Sequence, residues 1–99
     1  MKNPHPTPLT ILGHPYTIVR DKTTNEIGAS GRLFTANGEI QVAKDLCPSQ
    51  ATSTVLHEII EAINWHCELR LKHNAIMTLE STLYQTLTAN GVKLDPLFR

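Results

Sequence analysis

The segment His57-Glu58-Ile59-Ile60-Glu61 places an imidazole and a carboxylate four residues apart. On a helix these stand one turn apart on the same face, a spacing that suits two corners of a tetrahedral metal site. The intervening Glu58 points to one side of such a metal, where it can hold a water molecule and take its proton. A second unusual acid is Glu80. On a helical wheel Ile76, Leu79, Leu83 and Leu87, continued by Met77 and Tyr84, form one apolar face, and Glu80 falls about 20° from its centre. A carboxylate in that position is costly unless it is paired or bound to a metal.

The surrounding elements decide whether these groups can meet. Pro48-Ser49 marks the start of a first helix, with Ser49 as its N-cap, running from about Gln50 to about Leu69. Most of its circumference is apolar, carrying Val55, Leu56, Ile59, Ile60, Ala62 and Ile63. The remaining polar stripe is His57, Glu61, Asn64 and Glu68, with Glu58 and Trp65 at its shoulder. Such a helix is either buried around a site or shows only its stripe to water. A break at Lys72-His73-Asn74 precedes a second helix from about Ala75 to Thr88, closed by Asn90-Gly91. Helices joined so closely run antiparallel and face each other, which brings Glu80 toward the His57/Glu61 stripe. The competing expectation is a buried salt bridge from Glu80 to Arg70 or Lys72.

Ahead of Pro48 the chain reads as β-structure. Leu9–Leu12 and Tyr16–Val19 flank Gly13-His14-Pro15 as a first hairpin. Asp21–Glu26 reads as a mobile polar loop, and Gly28 to Gly31 is small and flexible. Arg32–Thr35 then leads through Asn37-Gly38 into Glu39–Ala43 as a second hairpin. The expected fold class is α+β: a small antiparallel sheet of three or four strands followed by two helices packed on one face. Residues 1–99 form a single domain, with a flexible N-terminus over 1–8 and a tail over 91–99.

Composition narrows the function. Nine Lys+Arg balance nine Asp+Glu, and no helix carries a basic stripe, so the nucleic-acid backbone is not an expected partner. No apolar run approaches the roughly 20 residues needed to cross a bilayer, and the polar, proline-rich start has no apolar core of a signal peptide. Cys47 and Cys67 are too few for a disulfide scaffold and read as reduced thiols of a cytoplasmic protein, neither with a base at helical spacing for nucleophilic work.

The stretch Thr54-Val55-Leu56-His57-Glu58-Ile59-Ile60-Glu61-Ala62-Ile63-Asn64-Trp65 resembles the active-site helix of compact, prophage-encoded zincin-like metallopeptidases, the IrrE-like group among them. The Gly31 to Val42 segment is similar to their strands, and Ile11–Val19 to their opening hairpin. The resemblance covers roughly residues 9–87. It implies a small sheet whose last strand edges a cleft, a helix with two metal ligands and a further acidic ligand on the next helix. Position by position, His57 matches the first ligand and Glu58 the general base. Glu61 stands where the usual HExxH motif has its second histidine, and Glu80 suits the third ligand. That departure makes the set harder and more anionic, which bears on metal preference and on turnover.

The activity so implied is peptide-bond hydrolysis by a water on a divalent metal, zinc first, in an extended peptide added to the edge of Glu39–Ala43. His73 is the competing ligand, near the face of Glu80, against its plainer reading as a helix-start histidine in water. Tyr84, one turn after Glu80, can donate to a developing oxyanion, against its plainer reading as a core tyrosine. His66 lies about 180° from His57 on the wheel, and His5 and His14 fall in the N-terminal segment, so none of the three is an expected ligand. Glu68 reads as a supporting or surface acid. The alternative function is a non-catalytic zincin-like module that binds a protein partner. A further alternative is a plain structural domain in which Glu80 pairs with a basic residue.

Overall fold

The structure is a computed structural model that describes residues 7–22, 24 and 27–94. His5 and the Asp95-Pro96 tail lie outside the described residues. In chain order the elements are β1 (Thr7–Ile11), β2 (His14–Asp21), β3 (Gly31–Phe34), β4 (Glu39–Ala43), α1 (Pro48–Cys67) and α2 (His73–Ala89). This is the expected α+β class, a four-stranded sheet followed by two helices. β1 begins at Thr7, within the stretch expected to be flexible.

β1 and β2 form a hairpin in which Ile11 pairs with His14. Its turn is Leu12-Gly13, both at positive φ (51° and 79°), the handedness that a two-residue hairpin turn needs. The turn thus falls one residue earlier than Gly13-His14-Pro15. β3 and β4 form the second hairpin, with Leu33 opposite Ile40. Gly38 closes its turn at φ 65°, and a Cβ there would strike the Pro15 carbonyl oxygen. The Thr17 amide donates to the Gly38 carbonyl at 2.9 Å, so this turn is seated on β2.

The sheet order is β1-β2-β4-β3, with β2 and β4 parallel and the other neighbours antiparallel. The expectation of an all-antiparallel sheet therefore holds within each hairpin and fails between them. Burial explains the order. Ile40 and Val42 point into the core, and Gln41 and Ala43 are buried as well, so β4 is covered on both faces and belongs at the centre. β3 is half-buried along its whole length and takes the edge.

Among the described residues between β2 and β3, the expected mobile polar loop is in part tied down. Asp21 and Thr24 are buried. Thr24 Oγ1 donates to Gln41 Oε1 at 3.1 Å, and Arg32 Nη2 donates to Gln41 Oε1 at 2.6 Å and to Asp21 Oδ2 at 3.4 Å. Lys22 also lies in this stretch; residues 23, 25 and 26 are outside the described ones.

α1 packs on the sheet through Val55 and Ala62, against Ile11, Tyr16, Ile18, Ile40 and Val42. Its N-cap is Cys47 with Pro48 in the first turn, rather than Ser49; proline suits that position because its missing amide hydrogen has no helical acceptor there. α2 packs on α1 through Ile76, against Leu56 and Ile60, with Leu71 and Tyr84 alongside. The layers are sheet, α1, α2.

The helices are joined by a tight reversal. Glu68 ends α1 in the left-handed region (φ 52°), and Arg70 is also left-handed (φ 61°). Asn64 secures this link: its carbonyl oxygen accepts from the Leu69 amide at 3.1 Å, and its side-chain Oδ1 from the Leu71 amide at 2.9 Å. α2 starts two residues earlier than expected, at His73, and ends one residue later, at Ala89. Gly91 follows at φ 82°, with its amide on the Thr88 carbonyl. No helix among the described residues is long and apolar enough to cross a membrane.

Candidate metal centre

The reversal sets α1 and α2 antiparallel, with Ser53 beside Glu80 at one end and Asn64 beside Leu71 at the other. His57 and Glu61 are one turn apart on α1 and project toward the start of α2. His73, the first residue of α2, lies across from them, its ring centroid 5.6 Å from that of His57. Ligand atoms of His57, Glu61 and His73 all lie within 4.8 Å of one another. Two imidazoles and a carboxylate at that separation could hold a metal ion.

The four residues expected to ligate or compete for the metal thus divide around one ring. Nε2 of His57 is 3.4 Å from Glu61 Oε2. Nδ1, on the ring's other side, is 2.9 Å from Glu80 Oε1. The second oxygen of Glu80 accepts a short hydrogen bond from the Ser53 hydroxyl. Among the described residues the partners of Glu80 are therefore His57 and Ser53, not Arg70 or Lys72. The acid on the apolar face does reach the His57 stripe, from the Nδ1 side. His57 and Glu80 side chains are 14% and 15% exposed, so water competes weakly for this contact.

Glu58 points from α1 toward β3 and is 7% exposed. Burial pushes its pKa up from 4.5 to about 7; the carboxylates of Glu61 and Glu80 push the same way, and His57 opposes them. The close approach of β3 depends on Gly31. A Cβ there would come within 2.5 Å of Thr54 Cγ2 and 3.1 Å of Glu58 Oε2.

Two clefts meet at His57 and Glu58. The larger, about 510 Å³, runs along β3 from Gly31 to Phe34 and is closed by Glu61 and His73. The smaller, about 290 Å³, lies on the Glu80 side and is walled by Ser30, Gly31, Thr54 and Met77. β3, not Glu39–Ala43, is the strand at the mouth of the larger cleft, because β4 is paired on both sides. Tyr84 packs against the Leu56, Ile60 and Ile76 cluster and lines neither cleft.

The remaining candidates lie elsewhere. His66 accepts or donates at 2.8 Å with the Tyr16 hydroxyl and stacks on His14, ring centroids 4.1 Å apart, away from His57. Glu68 is the exposed C-cap of α1. Cys47 and Cys67 are free and exposed.

Ser53 escaped the sequence reading, although its position four residues before His57 extends the polar stripe of α1 backward by one turn. No family model, curated protein or solved structure matches the chain.

Proposed function

We propose that this protein is a metal-dependent peptidase whose zinc is held by His57 Nε2, Glu61 and His73. One observation carries the reading: three donor groups within 4.8 Å of one another, beside the buried carboxyl of Glu58. A divalent ion bound there would supply Lewis acidity to a scissile carbonyl and to a water molecule. Two imidazoles with one carboxylate match a donor set common in catalytic zinc sites. Glu58, buried beside His57, accepts the water's proton at a carboxylate oxygen and returns it to the departing amine. The edge strand β3 orients an extended substrate by strand addition, in the cleft that Glu61 and His73 close. Free, exposed Cys47 and Cys67 suit a reducing, cytoplasmic setting.

The experiment is elemental analysis of protein purified without chelator, paired with hydrolysis of an unstructured protein substrate. Wild type is expected to carry one zinc per chain, with strongly reduced occupancy in Glu61→Ala and His73→Ala. Glu58→Gln is expected to keep the metal and lose hydrolysis. A wild type that binds no divalent ion overturns the assignment.

A second reading, the non-catalytic module that binds a protein partner, is favoured by apolar side chains that α2 leaves uncovered. Leu79 and Leu83, on the apolar face of the helix, are exposed. It predicts metal binding without hydrolysis in wild type, and partner binding unchanged in Glu58→Gln.

A further inference from the structure

We propose that Ser53 and Glu80 are a positioning pair that holds the His57 ring with its proton on Nδ1, leaving Nε2 as the acceptor that faces Glu61. The consequence for metal affinity rests on the metallopeptidase reading; the tautomer itself does not.

Ser53 and His57 are one turn apart on α1, and Glu80 lies opposite them on α2. A carboxylate only accepts hydrogen bonds, so a neutral His57 2.9 Å from Glu80 Oε1 must carry its hydrogen on Nδ1. The Ser53 hydroxyl occupies the other carboxylate oxygen. With both oxygens engaged from α1, Glu80 has a fixed orientation, and so has the ring it touches. The opposite nitrogen has the weaker acceptor: Glu61 Oε2 stands 3.4 Å from Nε2, against 2.9 Å from Nδ1 to Glu80 Oε1. An imidazole in water prefers its proton on Nε2, which is the nitrogen that must be bare to bind a metal here. Glu80 reverses that preference.

The same arrangement accounts for an acid on the apolar face of α2 without making it a ligand. Glu61 reaches Nε2, Glu80 reaches Nδ1, and one ring cannot turn the same nitrogen to both sides. A carboxylate behind a metal-binding histidine fixes the tautomer and raises the basicity of the ligand nitrogen.

The test is two-bond ¹H–¹⁵N correlation spectroscopy of the histidine rings in the metal-free chain at pH 8, followed by a cobalt(II) titration read by visible absorption. Wild type is expected to show His57 protonated on Nδ1. Glu80→Gln and Ser53→Ala are expected to shift His57 toward the Nε2–H form, and Ser53→Thr, which keeps the hydroxyl, to restore the wild-type pattern. Cobalt affinity is expected to fall about 10- to 100-fold in Glu80→Gln and less in Ser53→Ala. A wild-type His57 already protonated on Nε2, or a tautomer unmoved by both substitutions, overturns the proposal. An Nδ1–H wild type that binds no cobalt upholds the pair and overturns the metal reading alone. Ser53→Ala removes one hydroxyl at the surface of the helix pair and keeps the test open should Glu80→Gln fail to fold.

Discussion

Replacing Glu58 by Gln tests the burial of that carboxyl without any metal or substrate. The folded chain holds Glu58 at a pKa of about 7, against 4.5 when it is free in water. Below pH 4.5 the group is protonated in both folded and unfolded chains, and the native state carries no ionisation cost. As the pH rises through 7 the folded carboxyl must ionise in a site that excludes water, and that stability is lost. At 1.36 kcal/mol for each pKa step, the loss is about 3 kcal/mol by pH 8. Glutamine keeps the shape and never ionises. In metal-free protein Glu58→Gln should therefore match wild type near pH 4 and exceed it by about 3 kcal/mol at pH 8. In a chain of this size that is on the order of 10 °C in melting temperature. The assay is urea unfolding with chelator present, wild type against variant, at both pH values. Taking the difference between variants cancels the titrating groups that do not interact with Glu58 and leaves in the gap its coupling to His57, Glu61 and Glu80. A stability gap that is the same at pH 4 and pH 8 refutes the argument that burial governs Glu58.

Three further substitutions probe the frame around the site. Gly31→Ala places a methyl against Thr54 and Glu58 and should cost about 1–3 kcal/mol in urea unfolding, with Glu58 displaced from the cleft. Asn64→Ala removes the acceptor of the Leu71 amide and should cost about 1 kcal/mol, with faster proteolytic cleavage within residues 68–72. Ile76→Ala empties the centre of the contact between α1 and α2, where the isoleucine is 2% exposed. It should cost about 2–5 kcal/mol, and because α2 carries His73 and Glu80 it should also weaken metal binding in a competition titration.

Much of this site is legible in local pattern. The i, i+4 spacing of His57 and Glu61 and the wheel that strands Glu80 among leucines depend only on helical periodicity, which survives in any fold that contains these helices. Their convergence follows from the short link. The Asn90-Gly91 stop and the Asn37-Gly38 turn are equally local, since each rests on the ease with which its glycine adopts positive φ. Harder to read are relations that span the chain. The parallel pairing of β2 with β4 comes from burial of β4 on both faces, which its short run of residues does not announce.

The strand beside the cleft follows from that order, and so passes from Glu39–Ala43 to Gly31–Phe34. His73 turns on a boundary: counted as part of the break it has no helical face, and as the first residue of α2 it is exposed to water yet 5.6 Å from the His57 ring. Which nitrogen of His57 meets which acid is a matter of ring orientation, set by Ser53, and no spacing rule reaches it.

The shortness of β3 has its own consequence. Four residues at about 3.3 Å each make a docking rail of about 13 Å. On a peptidase reading such a rail grips only a short stretch of backbone, too little to discriminate among long recognition sequences. Its natural prey is then a segment already loosened from its parent fold, so the timing of cleavage would be dictated by the victim's unravelling more than by its spelling.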